Sequence, residues 1–506
     1  MAVTVSGQRQ IIDIGNFQTL VAEESRLAAT QSVHKNPTFP FKYLRDVIKA
    51  LESIKQTASS SHLESLVDSL VVHLNLRADK IESSINQGMQ KLYASSTSSY
   101  HYSESSIGFT TEDFSSTSSD EFTNGTILSW NTEIKGIPTE FEMELSEMEI
   151  DAINAVLIHG SLCNENLCKI THLAQKLVNS LYLDFIDCEK KVHEGIPFCQ
   201  IPPEPPLLIL GEGPATWTIK HTGTIGLRNV AIVNFPVVNA RGGIFAWTTL
   251  GHEVSGHDLL SSATLIDQIK NNVFFALSHH NLPKKLVQYW TREVYDNKGR
   301  YVGTRIDEIA SDLVGVLNLG PAAAVGILGY LKGIFKTQFW APGEKNDPHP
   351  AHILRGVVVA KAVKQLVLQN RREWSQVIDE EVLKDWEKQQ REYSDILLDG
   401  ISFKANEAYL TAKLVADSIL NDPLENLGGM SLRQVRVWDV KDQQITEEIG
   451  VCLSNKKLAG TPEYCKKSID KHHAKHIIAA ATIESLKTNA DHEVIFSNMI
   501  KLLERV

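Results

Sequence analysis

The stretch TTLGHEVSGHDLL, residues 248–260, sets His252, Glu253 and His257 close together. Imidazole nitrogens and carboxylate oxygens are donors that suit zinc. In the zinc-binding signature H-E-x-x-H the two histidines stand four apart and share a helix face. Here they stand five apart, with Glu253 directly after the first. On a regular α-helix such residues point about 140° apart and cannot hold one ion. A single-turn π-bulge, hydrogen-bonded i→i+5, absorbs the extra residue and brings them together. Gly256, just before the second histidine, eases the unusual backbone this needs. A regular helix would instead pair Glu253 with His257, which are four apart. The bulged form is the reading taken here.

A third donor lies downstream. TRIDEIASDLVGV, residues 304–316, has Ile306, Ile309, Leu313 and Val316 as a helical apolar side, with Asp307, Glu308 and Asp312 among them. Glu308 and Asp312 are four apart and share a face. Two histidines and one carboxylate leave a fourth zinc position for water, the arrangement of catalytic rather than structural sites.

These two motifs resemble the dipeptidyl peptidase III family of zinc peptidases. That family carries a HELLGH-type motif and a downstream EExxAE-type helix at a similar spacing. HEVSGH matches the first, and DEIASD matches the second loosely, with Asp307 and Asp312 in place of its outer glutamates. The resemblance implies His252, His257 and Glu308 as ligands of one Zn2+ and Glu253 as general base. It implies Asp307 and Asp312 as groups that orient the histidines. It covers roughly residues 245–355; release of dipeptides is not carried over.

With such a site, zinc would lower the pKa of a bound water and Glu253 would take the proton. The substrate would be a peptide or amide. NDPHPAHILRGVVVA, residues 346–360, is the candidate source of a donor for the oxyanion, through His349, His352 and Arg355. The family similarly places a histidine closely followed by an arginine beyond its glutamate motif, an order that His352 fits slightly better than His349. The strand VAIVNFPVV is expected to offer an edge on which an extended peptide pairs.

Two other functions use the same atoms. A two-histidine, one-carboxylate set also serves the Fe2+ of non-haem oxygenases, although these need no base at Glu253. Glu253, His257, Glu308 and Asp312 form two i, i+4 pairs that would suit a non-catalytic, carboxylate-rich helical metal site or a structural network in an interaction protein. In KHHAKH, His472 and His476 have the better helical spacing, but lysines surround them and no glutamate adjoins. A solvated basic helix face is expected there.

The elements that must position these residues are mainly helical, giving a mainly α (α+β) fold with a small sheet beside the active-site helix. Residues 1–94 form an N-terminal helical region, with Leu44, Val47, Ile48, Leu51 and Ile54, then Leu63, Leu66, Val67, Leu70, Val71 and Leu74, at helical spacing. Residues 95–127 are a serine- and threonine-rich linker, and 128–200 are again mostly helical. LLILG, ATWTIK and VAIVNFPVV read as strands that open a metal-binding core at 201–370. Residues 371–506 are mainly helical, with a short strand in QVRVWDV.

The charge of −11 argues against nucleic acid as a partner. The apolar stretch 316–335 is broken by Asn318, Gly320, Pro321 and Lys332, which indicates a buried core helix rather than a membrane span. The first residues show no secretory signal pattern. Six dispersed cysteines read as free thiols, and the two together predict a cytoplasmic protein.

Overall fold

The computed structural model describes residues 2–5, 8–11, 14–30, 38–40, 48–49, 51–52, 54, 64, 66–80, 83, 128–131, 140–144, 165–192, 205–211, 220–221, 231–236, 239, 242–262, 265–295, 299, 301–335, 346–368, 374–382, 384, 394–454 and 473–506. These are mainly helical, with a few small sheets. Two compact units interleave along the chain. One comprises residues 1–32, 169–219 and 233–506; the other comprises 33–168 and 220–232.

In the larger unit, the helix Arg305–Leu319 is the central element, with every residue buried except Asp307. Its apolar side, Ile306, Ile309, Leu313 and Val316, packs into the core, while Arg305, Glu308, Ser311, Asp312 and Asn318 are polar groups buried with it. Thr304 starts it by accepting Asp307 N–H at 3.1 Å. Gly320, at φ 63°, ends it, and Pro321 opens the next helix, Pro321–Phe335. The apolar stretch 316–335 is therefore two buried segments broken at Gly320. Among the described residues, no helix is long and apolar enough to cross a membrane.

Two further helices complete the setting of the site. Ile244–Leu250 runs without a break into a π-helical segment, Gly251–Asp258, and then Leu259–Ser262. The helix His352–Val363 packs between Arg305–Leu319 and Ala405–Asn421. Phe235, near the end of the strand Ala231–Pro236, lies edge-on to Trp247 with ring centres 5.1 Å apart, so the small sheet adjoins the helix that leads into His252 and His257, as expected.

In the smaller unit, Glu140–Glu144 is the middle strand between Thr38–Pro40 and Leu128–Asn131, antiparallel to both. Residues 66–80 are helical, and Leu66, Val67, Leu70 and Leu74 form the buried stripe their spacing predicts. The expected linker at 95–127 lies outside the described residues.

Several expectations are corrected. Glu140–Glu144 is strand, not helix: EFEME alternates strictly, and a period of two outweighs the helical pattern around it. QVRVWDV is not a strand: Ser431 and Gln434 close a capping box that turns Leu432–Val435 into a helical turn. VAIVNFPVV offers no edge to a peptide, because Ala231–Pro236 is the central strand of its three-stranded sheet and wholly buried. Cys452, 1% exposed at the end of Val440–Leu453, is disulfide-bonded, so the reading of six free thiols fails there. Such bonds persist mainly in oxidising compartments, which removes the cysteine argument for a cytoplasm.

KHHAKH is corrected as well. Lys475 and His476 are 1% and 5% exposed rather than solvated. Asp442 serves both from another helix: its Oδ1 accepts from His476 Nε2 at 2.9 Å and lies 3.9 Å from Lys475 Nζ, with Arg436 bound to its other oxygen at 3.0 Å. Burial drives His476 down to about 4, so the ring is neutral at physiological pH. A buried charge persists only when paired, and the cluster obeys that rule.

Candidate metal centre

The π-helical segment answers the spacing problem. With i→i+5 hydrogen bonding, His252 and His257 fall on one face, with Nε2 atoms 3.1 Å apart and rings nearly perpendicular. Gly256 serves packing rather than backbone strain, since its φ is not in the left-handed region. A Cβ there would stand 2.3 Å from Ser311 Cβ, so only glycine lets the two helices approach this closely.

Glu308 faces the histidines from the helix Arg305–Leu319. Its Oε2 lies 3.5 Å from His252 Nε2, and its Oε1 lies 3.5 Å from His257 Nε2. Each histidine thus faces its own oxygen of the carboxylate, and one donor atom from each of the three residues lies within 4.8 Å of the others. Glu308 Oε2 is buried and makes no hydrogen bond in the protein, a costly state that a cation relieves. The group His252, His257 and Glu308 can therefore hold a metal ion.

The groups behind the ligands fix their orientation. His252 Nδ1 bonds Asp312 Oδ1 at 2.8 Å, and His257 Nδ1 lies 3.2 Å from Asp307 Oδ1. Asp312 assigns the Nδ1–H tautomer to His252 and turns its Nε2 lone pair inward, and Asp307 stands beside His257 Nδ1. Asp312 is itself gripped on both oxygens by Arg355, at 2.7 Å from Nε and 2.7 Å from Nη2. Burial opposes the Asp312 charge, but Arg355 and His252 hold its carboxyl down at about 2. Burial likewise opposes the Glu308 charge, and the neighbouring His349, His257 and His252 hold it well below the usual carboxylate range.

Without a metal the histidine pair attracts a proton. Burial works against it, yet Asp312 pushes His252 up to about 9, and Asp307 with Glu308 pushes His257 up to about 10. At 3.1 Å only one of the facing Nε2 atoms has room for a proton, so the pair shares one through the neutral range. Metal binding is thus expected to release about one proton per site at neutral pH. Apparent affinity should rise about tenfold per pH unit and flatten near pH 9. Calorimetric titration in buffers of different ionisation enthalpy checks this; no proton release would mean that the ion does not sit between the two rings.

Glu253, 4% exposed, lies on the same π-helical segment, close enough to contribute to the raised values of His257 and Arg355. Of the two downstream histidines, His349 is the one beside a ligand, with Nε2 3.5 Å from Glu308 Oε1. Asp347 holds it from behind, accepting its Nδ1–H at 2.6 Å and its backbone N–H at 2.9 Å. His352 is the first residue of its helix; burial, with Arg355 and His349 nearby, drives it down to about 3 and keeps it neutral.

Sequence reasoning missed Asp347 and a buried clamp at the start of the ligand helix. Arg305, 0% exposed, donates to Tyr289 O at 3.0 Å, Asp347 O at 3.1 Å and Asp399 Oδ1 at 2.7 Å. It thereby ties the helix of Glu308 to the loop of His349. Asp399 reaches it from the tip of the hairpin Asp395–Leu398/Ile401–Lys404. The signal for that tip was present: Asp-Gly between two apolar runs is a two-residue hairpin turn, and φ is 54° at Asp399 and 74° at Gly400.

Compared with protein-family models, curated proteins and solved structures, the chain matches none of them.

Proposed function

We propose that the protein is a zinc-dependent hydrolase acting on peptide or amide bonds. One observation carries the reading: two imidazoles with facing Nε2 atoms 3.1 Å apart, closed by Glu308 and braced from behind by Asp312 and Asp307. Braced histidines with one carboxylate and an open side are the donor set of hydrolytic zinc. The likeness of HEVSGH and DEIASD to the dipeptidyl peptidase III motifs supports the same chemistry.

Bound at these three residues, zinc would polarise the substrate carbonyl and acidify a coordinated water. Glu253, adjacent to His252, would take the proton from a water so activated and pass it to the leaving amine. His349, aligned by Asp347, faces the ligand Glu308 and donates to the developing oxyanion. Arg355 acts through Asp312 and His252.

The first test is the metal content of purified protein by mass spectrometry, comparing wild type with His257→Ala. About one zinc per chain, absent from the variant, is the expected result. Iron in its place would move the reading to oxygen chemistry on the same donors. No metal in either protein after zinc is supplied and the excess removed would overturn the proposal.

A further inference from the structure

The N-terminal helix Ile14–Thr30 reaches the metal-bearing helix through one buried carboxylate. Glu24 is 2% exposed and fully engaged. Its Oε1 accepts the backbone N–H groups of Phe245 at 3.1 Å and Ala246 at 3.3 Å, and its Oε2 accepts Asn239 Nδ2 at 3.0 Å. Phe245 and Ala246 are in the first turn of Ile244–Leu250, whose own N-cap is Gly243 and supplies no side chain. Glu23 adds a bond from Gly243 N–H at 3.1 Å. The cap that a helix ordinarily takes from the residue before it thus comes from a residue 221 positions earlier. This same helix continues into the π-helical segment that carries both histidines.

We propose that the Glu24 carboxylate anchors the first turn of the metal-bearing helix, so that a proton on it loosens the hold of His252 and His257 on their metal. The inference rests on the metal reading above and adds a means of regulating it. An anion suits a helix N-terminus because unpaired N–H groups and the helix dipole both favour negative charge. The neutral acid suits it poorly. A proton on Oε2 would confront the Asn239 amide, whose NH2 already serves Glu24 and Gly243 O, at 3.3 Å from the latter.

The titration falls in a usable range. Burial pushes Glu24 up, against the Asn239 and Ala246 hydrogen bonds and with help from Glu23, to about 7. The charged cap is therefore present above neutrality and is lost as pH falls through 7. Among the described residues the other charges facing it are few. Glu23 is on its own helix. From Pro321–Phe335, Lys332 lies 3.5 Å from Glu381 and over the Phe17 ring. The described residues of 239–250 carry no ionisable side chain.

The test is a zinc competition titration of wild type and Glu24→Gln at several pH values between 6 and 8.5. The site histidines titrate in both proteins, so their contribution cancels in the ratio of affinities. Wild type is expected to bind roughly tenfold more tightly at pH 8.5, with the ratio falling towards one at pH 6. A ratio that stays constant with pH would overturn the proposal while leaving the metal site intact. No zinc bound by either protein would overturn the metal reading, and this inference with it. A second variant covers the case in which Glu24→Gln does not fold. Asn239→Ala removes a donor that favours the charged form, so the pH transition of zinc affinity should move upward. An unmoved transition would show that Glu24 is not the group responsible.

Discussion

Glu253→Gln is expected to retain one metal per chain and to lose about 10²–10⁴ of turnover on a peptide identified by library screening. Glutamine keeps the shape of the side chain and its buried place, where Glu253 is 4% exposed. It cannot accept the water proton. Because His252, His257 and Glu308 can hold an ion without Glu253, metal content should stay level while the chemical step fails. The three readings of the site diverge on this one variant. A hydrolase keeps metal and loses turnover, an oxygenase keeps both, and a site using Glu253 as ligand loses metal. Retained hydrolysis in Glu253→Gln would remove the residue from the role of general base.

The local arrangement around Glu253 was legible because helical geometry constrains immediate neighbours. Residues on one helix must obey helical spacing, so the extra residue of HEVSGH forced a choice between a bulge and a regular helix that pairs Glu253 with His257, and the protein adopts the π-helical form. DEIASD was legible for the same reason, since Glu308 and Asp312 had to share a face. What stayed hidden depends on partners far away in sequence. KHHAKH has the composition of a solvated face, and only Asp442, 34 residues before His476, makes its burial tolerable. The reason for Gly256 was misread because the clash it avoids is with Ser311, on another helix. Interleaving of the two units is equally invisible to periodicity, as is the helix end that Glu24 caps from 221 positions away. The hairpin at Asp399 is a different case: its turn chemistry was readable and was passed over.

Arg355→Met should have the largest effect on stability of any single change near the site. Asp312 is 0% exposed, and Arg355 binds both of its oxygens at 2.7 Å. Removing the guanidinium leaves a buried carboxylate facing only His252, at a cost of about 3–5 kcal/mol. In wild type the favourable Asp312 pairing is complete above about pH 4 and is lost as pH falls towards 2, because its carboxyl is held at about 2 rather than near 4. In the variant that loss should begin at a higher pH, which chemical denaturation across pH 3–8 would register. Metal affinity should fall about 10- to 100-fold as well, since Asp312 no longer fixes the His252 ring. The double variant Asp312→Asn, Arg355→Met separates the two effects. It removes the buried charge altogether, so stability should largely return. Asparagine still accepts His252 Nδ1–H but carries no charge to strengthen the ring as a ligand, so affinity should stay below wild type. Wild-type metal affinity in Arg355→Met itself would show that His252 needs no such support and that the arginine serves stability alone.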